Sequence, residues 1–313
     1  MDYLSLGLGL FVLLFGAYVL VRGAVSLASR LGLRALIIGL TVVGFGTSLP
    51  EVSAAVGAAL LNLPGVSLGA IAGSNIANIL LVLAITVLIR PIDVSSPVLA
   101  RDGLAMLTAA GVTTAAVVTS QLTPLVGAVM IAMLVGYIGY VIITAERKQA
   151  AQHHVDRATN YSDKPLSLPV SIIALILGLT GVMYGSFRFV SAASQLAVEG
   201  GISQDLIGLV VIGLGTSLPE LVTASIAASR GNPGLALGIL LGSNIFNSLA
   251  GLGASAIAEP IVPLSSSATI DFPVMFLASV ALYWFARTDR RITRTEGGVM
   301  LAAYVAFLVF RLN

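Results

Sequence analysis

Ten apolar stretches follow one another along the chain, each near the length of about 20 residues that crosses a bilayer as a helix. They lie near 4–28, 36–61, 66–89, 102–119, 123–145, 168–194, 205–229, 235–257, 270–287 and 296–312. Five precede and five follow a hydrophilic stretch, ERKQAAQHHVDRATNYSDKPLS, at 146–167. This alternation predicts an all-α polytopic membrane protein of ten transmembrane helices. A first five-helix repeat occupies 1–145, a linker 146–167 and a second five-helix repeat 168–313. The first apolar run begins at about Leu4 with no basic residue before it and no small-residue cleavage site, so it reads as a retained span rather than a signal peptide.

Composition narrows the class. The 313 residues are 57% hydrophobic and 10% charged, with a mean hydropathy of +1.02. A soluble domain carries about 25% charged residues, so this chain needs lipid as its solvent. The net charge of +2 forms no basic field for nucleic acid, and the absence of cysteine excludes disulfides, thiolate metal sites and thiol nucleophiles.

The basic residues are unevenly placed. With ten spans, the connectors on one side hold Arg30, Arg34, Arg90, Arg101, Arg147, Lys148, Arg157, Lys164, Arg230, Arg287, Arg290, Arg291 and Arg294, which is 13 of the 16. The opposite connectors, around 62–65, 120–122, 199–205 and 258–271, hold none. By the positive-inside rule the linker faces the cytoplasm and both termini face outside. Five spans per half then invert the second half relative to the first, a plan shared by many secondary transporters.

The two halves also repeat each other in words. GLTVVGFGTSLPEVSAA at 39–55 returns as GLVVIGLGTSLPELVTA at 208–224, GSNIAN at 73–78 as GSNIFN at 242–247, and RPI at 90–92 as EPI at 259–261, all offset by 169 positions. Pro50 and Pro219 each remove a helical donor and crowd the carbonyl four residues back, that of Gly46 or Gly215. Such a carbonyl is tolerated at bilayer depth only if protein, water or an ion satisfies it. Both segments are therefore expected to be broken helices.

Glu51 and Glu220 follow the prolines directly. They are the two acidic residues expected deep in the membrane, where a carboxylate costs several kcal/mol and signals function. Thr47 and Ser48 lie four and three residues before Glu51, so a helix would bring them to one side of it. Ser74, Asn75 and Asn78, with Ser243, Asn244 and Asn247, add hydroxyl and carboxamide oxygens. These hard donors suit Ca²⁺ or Na⁺, and the lack of thiol or intramembrane histidine argues against zinc and copper.

Plainer readings stand beside this one. Ser48-Leu49-Pro50-Glu51 fits a helix capping box with proline near its first position, although a cap does not call for a carboxylate at membrane depth, twice. Asn75 and Asn244 suit hydrogen bonding to unwound backbone or between helices. The glycines read as close helix packing, Arg22 and Arg188 as side chains reaching an interface, and His153 with His154 as solvated loop.

GTSLPE with GSN-x-x-N, duplicated in inverted halves of five spans, resembles the sodium/calcium exchanger family of the cation/calcium antiporter superfamily over essentially the whole chain. The resemblance implies ten helices with the second, third, seventh and eighth at the core, and the long first and sixth sliding across it as a gate. It implies Glu51 and Glu220 as central ligands shared by calcium and sodium. Thr47, Ser48, Ser74 and Asn78 match ligand positions of the first repeat, and Thr216, Ser217, Ser243 and Asn247 those of the second. The backbone carbonyls of Gly44 and Gly213 match as well, where alanine is familiar. Some family members carry aspartate at the position of Asn247, so this site holds two formal charges rather than three, which argues against potassium co-transport.

The expected function is thus exchange of Na⁺ for Ca²⁺ by alternating access in the cell membrane, by a monomer, with no cofactor and no enzymatic step. A Ca²⁺/H⁺ antiporter of the same fold is the alternative, since buried glutamates also take protons. An intramembrane hydrolase lacks a histidine, cysteine or HExxH set in any span. A passive channel would conduct without a counter-ion.

Overall fold

The structure, a computed structural model, describes residues 2–149, 165–200, 215–261 and 268–312. In the first half α1 (Asp2–Leu31) leads to α2 (Ala35–Ile38), a π-helical turn at Gly39–Val43, α3 (Gly44–Thr47) and α4 (Leu49–Leu60). Next come α5 (Pro64–Ala77), a π-helical stretch at Asn78–Leu83, α6 (Ala84–Ile89) and the short strand β1 (Ile92–Asp93). After these follow α7 (Ser96–Val98), a π turn at Leu99–Gly103, α8 (Leu104–Val118) and α9 (Pro124–Gln149).

The second half runs α10 (Leu168–Glu199), α11 (Leu218–Ser229), α12 (Pro233–Phe246), a π turn at Asn247–Gly251 and α13 (Leu252–Ala258). It ends with α14 (Ala268–Thr288), β2 (Arg291–Ile292) and α15 (Arg294–Leu312). Among the described residues six helical runs are long and apolar enough to cross a membrane, or seven if the pair 35–47 and 49–60, bent by 41°, is one span. The hydrophilic stretch expected to link the halves falls mostly outside the described residues, and α9 continues to Gln149, past its expected start at 146.

Burial sorts the helices into a centre and a rim. The apolar windows of 64–89 and 233–258 are 78% and 94% buried, against 22% to 39% for the other four. The two runs carrying the GSN words thus form the middle of the molecule. The outer helices present Leu, Ile, Val and aromatic side chains such as Trp284 and Phe310 outward, as a lipid-facing surface requires.

Equivalent sequence folds equivalently. α4 and α11 both end in a left-handed residue, Asn62 (φ 57°) and Gly231 (φ 81°), positions 169 apart. In each, the next backbone N–H reaches back five residues: Leu63 to Ala58 at 2.9 Å and Asn232 to Ala227 at 2.8 Å. Glycine and asparagine tolerate this conformation, and Pro64 or Pro233 then starts the following helix, where its missing N–H costs nothing. At the rim, Ile92 pairs with Ile292 in a two-residue antiparallel bridge, and Ile261, the equivalent of Ile92, donates to the Leu122 carbonyl at 3.3 Å.

α1 and α10 pack antiparallel through glycines seven apart. A Cβ on Gly9, Gly16 or Gly23 would collide with the backbone of Phe189, Gly181 or Leu175, and one on Gly178 or Gly185 with Leu20 or Leu13. Small residues let two helices approach closely in lipid, where dispersion replaces the hydrophobic effect as the main attraction. α12 is held against α2 and the π turn after it in the same way, with Gly238 and Gly242 facing the Leu36 and Leu40 carbonyls.

Candidate functional site

The helix carrying Glu51 breaks where the proline predicts. Ser48 ends α3 and starts α4, Pro50 sits in the first turn, and Glu51 follows it. α11 repeats this with Ser217, Pro219 and Glu220. Both carboxylates stand in the first turn of a helix, where the free N–H groups and the helix dipole favour negative charge. The capping-box reading does not hold at its serines, because neither Ser48 nor Ser217 makes a side-chain cap hydrogen bond.

Glu51 and Glu220 are 1% and 0% exposed. Ser243 ties three segments together. Its hydroxyl lies 3.2 Å from Glu220 Oε1, 3.3 Å from the Gly44 carbonyl and 3.5 Å from Thr47 Oγ1. Thr47 also donates to the Val43 carbonyl at 3.1 Å. Asn247 Nδ2 donates to Ser74 Oγ at 3.1 Å, which joins the second GSN word to the first. Of the expected set, Glu51, Glu220, Thr47, Ser48, Ser74, Asn78, Ser217, Ser243 and Asn247 are all buried. Thr216 is half-buried and engaged by a partner, and Gly213 lies outside the described residues.

The chemistry of this cluster lies in what its oxygens lack. Both oxygens of Glu51, Glu220 Oε2, the hydroxyls of Ser48 and Ser217, and the amide oxygens of Asn78 and Asn247 are buried without a hydrogen-bond partner. With Asn75 Oδ1, Asn244 Oδ1 and Thr223 Oγ1, the duplicated words supply ten of the fifteen such atoms among the described residues. Buried acceptors without donors are costly, and a hard cation is the partner that satisfies carboxylate, hydroxyl and amide oxygens at once. Among the described residues no group of three or more His, Cys, Asp or Glu side chains comes together. The donor set is therefore two charges plus neutral oxygens, unlike a zinc site.

Asn75 and Asn244 behave as packing residues through their amide nitrogens. Asn75 Nδ2 donates to Ser248 Oγ at 2.8 Å and to the Asn244 carbonyl at 3.3 Å, and Asn244 Nδ2 to the Leu240 carbonyl at 2.7 Å. The π-helical turns that begin at Asn78 and Asn247 were not anticipated; such turns widen a helix where function concentrates. Ser186 of α10 was also missed. It is buried and donates to the Gly215 carbonyl, the one set free by Pro219, at 3.1 Å. A lone serine in an apolar run carries no sequence signal for this role.

Two further acids are buried. Asp102 is 0% exposed, binds Arg101 at 2.7 Å and accepts from the Tyr137 hydroxyl at 2.9 Å. Asp271, its equivalent at 169 residues, pairs with Arg311 at 3.2 Å. Both are already paired with arginine and belong to the rim helices.

A helical membrane core with paired carboxylates among unsatisfied oxygens defines a cation antiporter. Residues 2–143 and 170–313 match the model of the sodium/calcium exchanger protein family, and the chain belongs to that family. It is similar to the sodium/calcium exchanger MaX1 of Methanosarcina acetivorans, 30% identical over 98% of this chain and 97% of that protein. The inner membrane protein YrbG of Escherichia coli is 36% identical over 96% and 93%. Among solved structures, the sodium-calcium exchanger NCX_Mj superposes with a TM-score of 0.85 at 29% identity, covering 99% of each chain.

Proposed function

We propose that this protein exchanges Na⁺ for Ca²⁺ across the cell membrane by alternating access at one site. The observation that carries this reading is the set of unpartnered buried oxygens around Glu51 and Glu220. Calcium would bind between the two carboxylates, with Thr47, Ser48, Ser74 and Asn78 on one side and Thr216, Ser217, Ser243 and Asn247 on the other. The Gly44 and Gly213 carbonyls complete the set. Sodium ions would use overlapping oxygens. Because both loads need the same two charges, they exclude each other, and the empty, doubly negative site crosses poorly. That exclusion couples the two fluxes.

The same reading holds that the chain crosses the bilayer ten times, as inverted repeats at 1–145 and 168–313 joined by a cytoplasmic linker at 146–167, with both termini outside. The shared 169-residue offset of motifs, left-handed turns and buried aspartates supports it, as does the one-sided distribution of arginine. The protein would act as a monomer in lipid, without a cofactor and without dependence on potassium.

The test is counterflow. Vesicles loaded with sodium and diluted into sodium-free medium should accumulate radioactive calcium, whereas vesicles loaded with potassium should not. Calcium uptake driven by a pH gradient alone, with sodium without effect, would replace sodium by protons as the coupling ion.

A further inference from the structure

The pair α1/α10 meets the site-bearing segments through contacts that are made on one side of the repeat and open on the other. The guanidinium of Arg230, at the end of α11, lies 4.0 Å from the centroid of the Tyr18 ring on α1. The equivalent positions, 169 residues away, are Leu61 and Phe187. Both are among the most outward-facing apolar side chains of the molecule, 72% and 69% exposed. A second contact shows the same imbalance. Leu179 of α10 fills the space beside Gly46, 2.6 Å from where a Cβ would stand. Its counterpart Leu10 is 41% exposed, and Gly215 is covered instead by Val190 of α10.

When two copies of one unit exchange roles, contacts made by one copy are taken up by the other. Unequal contacts at equivalent positions therefore mark one end of that exchange. We propose that Tyr18 and Arg230 form a latch that holds the state described here, and that Phe187 closes onto Leu61 in the opposite state. This inference rests on the inverted-repeat reading given above.

The two latches differ in chemistry. Arg230 has no carboxylate partner among the described residues, and Arg90 Nη1 lies 3.4 Å from the position of a Cβ on neighbouring Gly231. Its charge is therefore met by the negative face of an aromatic ring. Leu61 and Phe187 offer apolar surface alone. A contact made in one state and not in the other biases the equilibrium by the whole of its free energy. Removing the charge from Arg230 thus favours the opposite state, and no ligand of the cation is touched in doing so.

The chain contains no cysteine, so introduced thiols can be cross-linked without background. In vesicles treated with a reducible thiol-reactive cross-linker long enough to span the two shortened side chains, Tyr18→Cys/Arg230→Cys and Leu61→Cys/Phe187→Cys should each become linked within one molecule. Either should stop counterflow until it is reduced. Adding Arg230→Leu to the Leu61/Phe187 pair should speed its cross-linking about two- to fivefold, the effect of losing one cation–π contact. Arg230→Lys, which keeps a cation over the ring, should leave the rate near that of the parent pair. A Leu61/Phe187 pair that stays unlinked while the Tyr18/Arg230 pair cross-links would overturn the latch, and so would an Arg230→Leu rate equal to the parent's. Cross-linking as described in a protein that shows no sodium-driven calcium flux would retain the latch and defeat the exchange reading alone.

Discussion

Asn247 donates its amide to the hydroxyl of Ser74 over 3.1 Å, across the boundary between the two halves of the chain. Its amide oxygen has no partner, so one side chain both bridges the repeats and offers an oxygen to a cation. Asn247→Asp should exchange that donor for a third negative charge beside Glu51 and Glu220. Like charges in one buried site cannot all stay ionised, so exchange should become more strongly pH-dependent and calcium should bind more tightly. The check is the pH profile of counterflow together with calcium affinity by titration calorimetry. A profile unchanged from the parent would place Asn247 outside the cation's reach.

Glu51→Gln and Glu220→Gln keep shape and remove charge. Each should lower sodium-driven calcium flux by at least about a hundredfold, the scale of losing several kcal/mol of ion stabilisation. The folded protein should survive, because an amide at this depth costs less than a carboxylate. Flux in proteoliposomes, alongside monodispersity of the purified variants, separates the two effects. Near-normal flux in both variants would end the case for a shared carboxylate site.

Gly178→Leu should drive a side chain into Leu20 of α1, and Gly16→Leu into Gly181 of α10. Overpacking of this kind costs about 1–3 kcal/mol. A lower melting temperature in detergent is expected for both, with Gly7→Leu, where a Cβ meets nothing within 4 Å, as the neutral control. Equal melting temperatures for all three would show that α1 and α10 do not depend on their close approach.

Asp102→Asn removes the partner of Arg101 and weakens the acceptor of the Tyr137 hydroxyl. Breaking a buried pair from one side costs roughly 3 kcal/mol, so thermal stability should fall clearly. Counterflow per folded molecule should stay the same, because the pair lies in the rim helices. Asp271→Asn should cost less, since Asp271 and Arg311 are 11% and 29% exposed at their side chains. A loss of flux larger than the loss of folded protein would bring Asp102 into the transport cycle.

Much of the site was legible because it is written twice. A proline before a glutamate, with hydroxyls three and four residues earlier, marks a helix break in an apolar run, and its recurrence at a fixed offset is what draws Glu51 and Glu220 into one reading. The left-handed turns at Asn62 and Gly231 are legible in the same way, from an Asn or Gly two residues before a proline. Ser186 was not legible, because its role depends on which carbonyl α10 happens to pass. The burial of Asp102 and Asp271 was not legible either, since sequence cannot show that Arg101 and Arg311 fold back onto them. The π-helical turns left no trace in composition, because the residues that form them suit an ordinary helix equally well.

Those turns have a consequence for how the molecule tolerates change. A π-helical stretch holds one residue more than the α-helix around it, so Asn78–Leu83 and Asn247–Gly251 each store a spare unit of chain. Deleting one residue there would let the helix relax to regular pitch with what lies beyond nearly in place, whereas a deletion in the regular helix alongside would swing everything beyond it by about 100°. These turns are therefore the places where the core helices tolerate a shortened chain, while a single codon lost from the regular turns beside them would leave a sound helix aiming at the wrong neighbour.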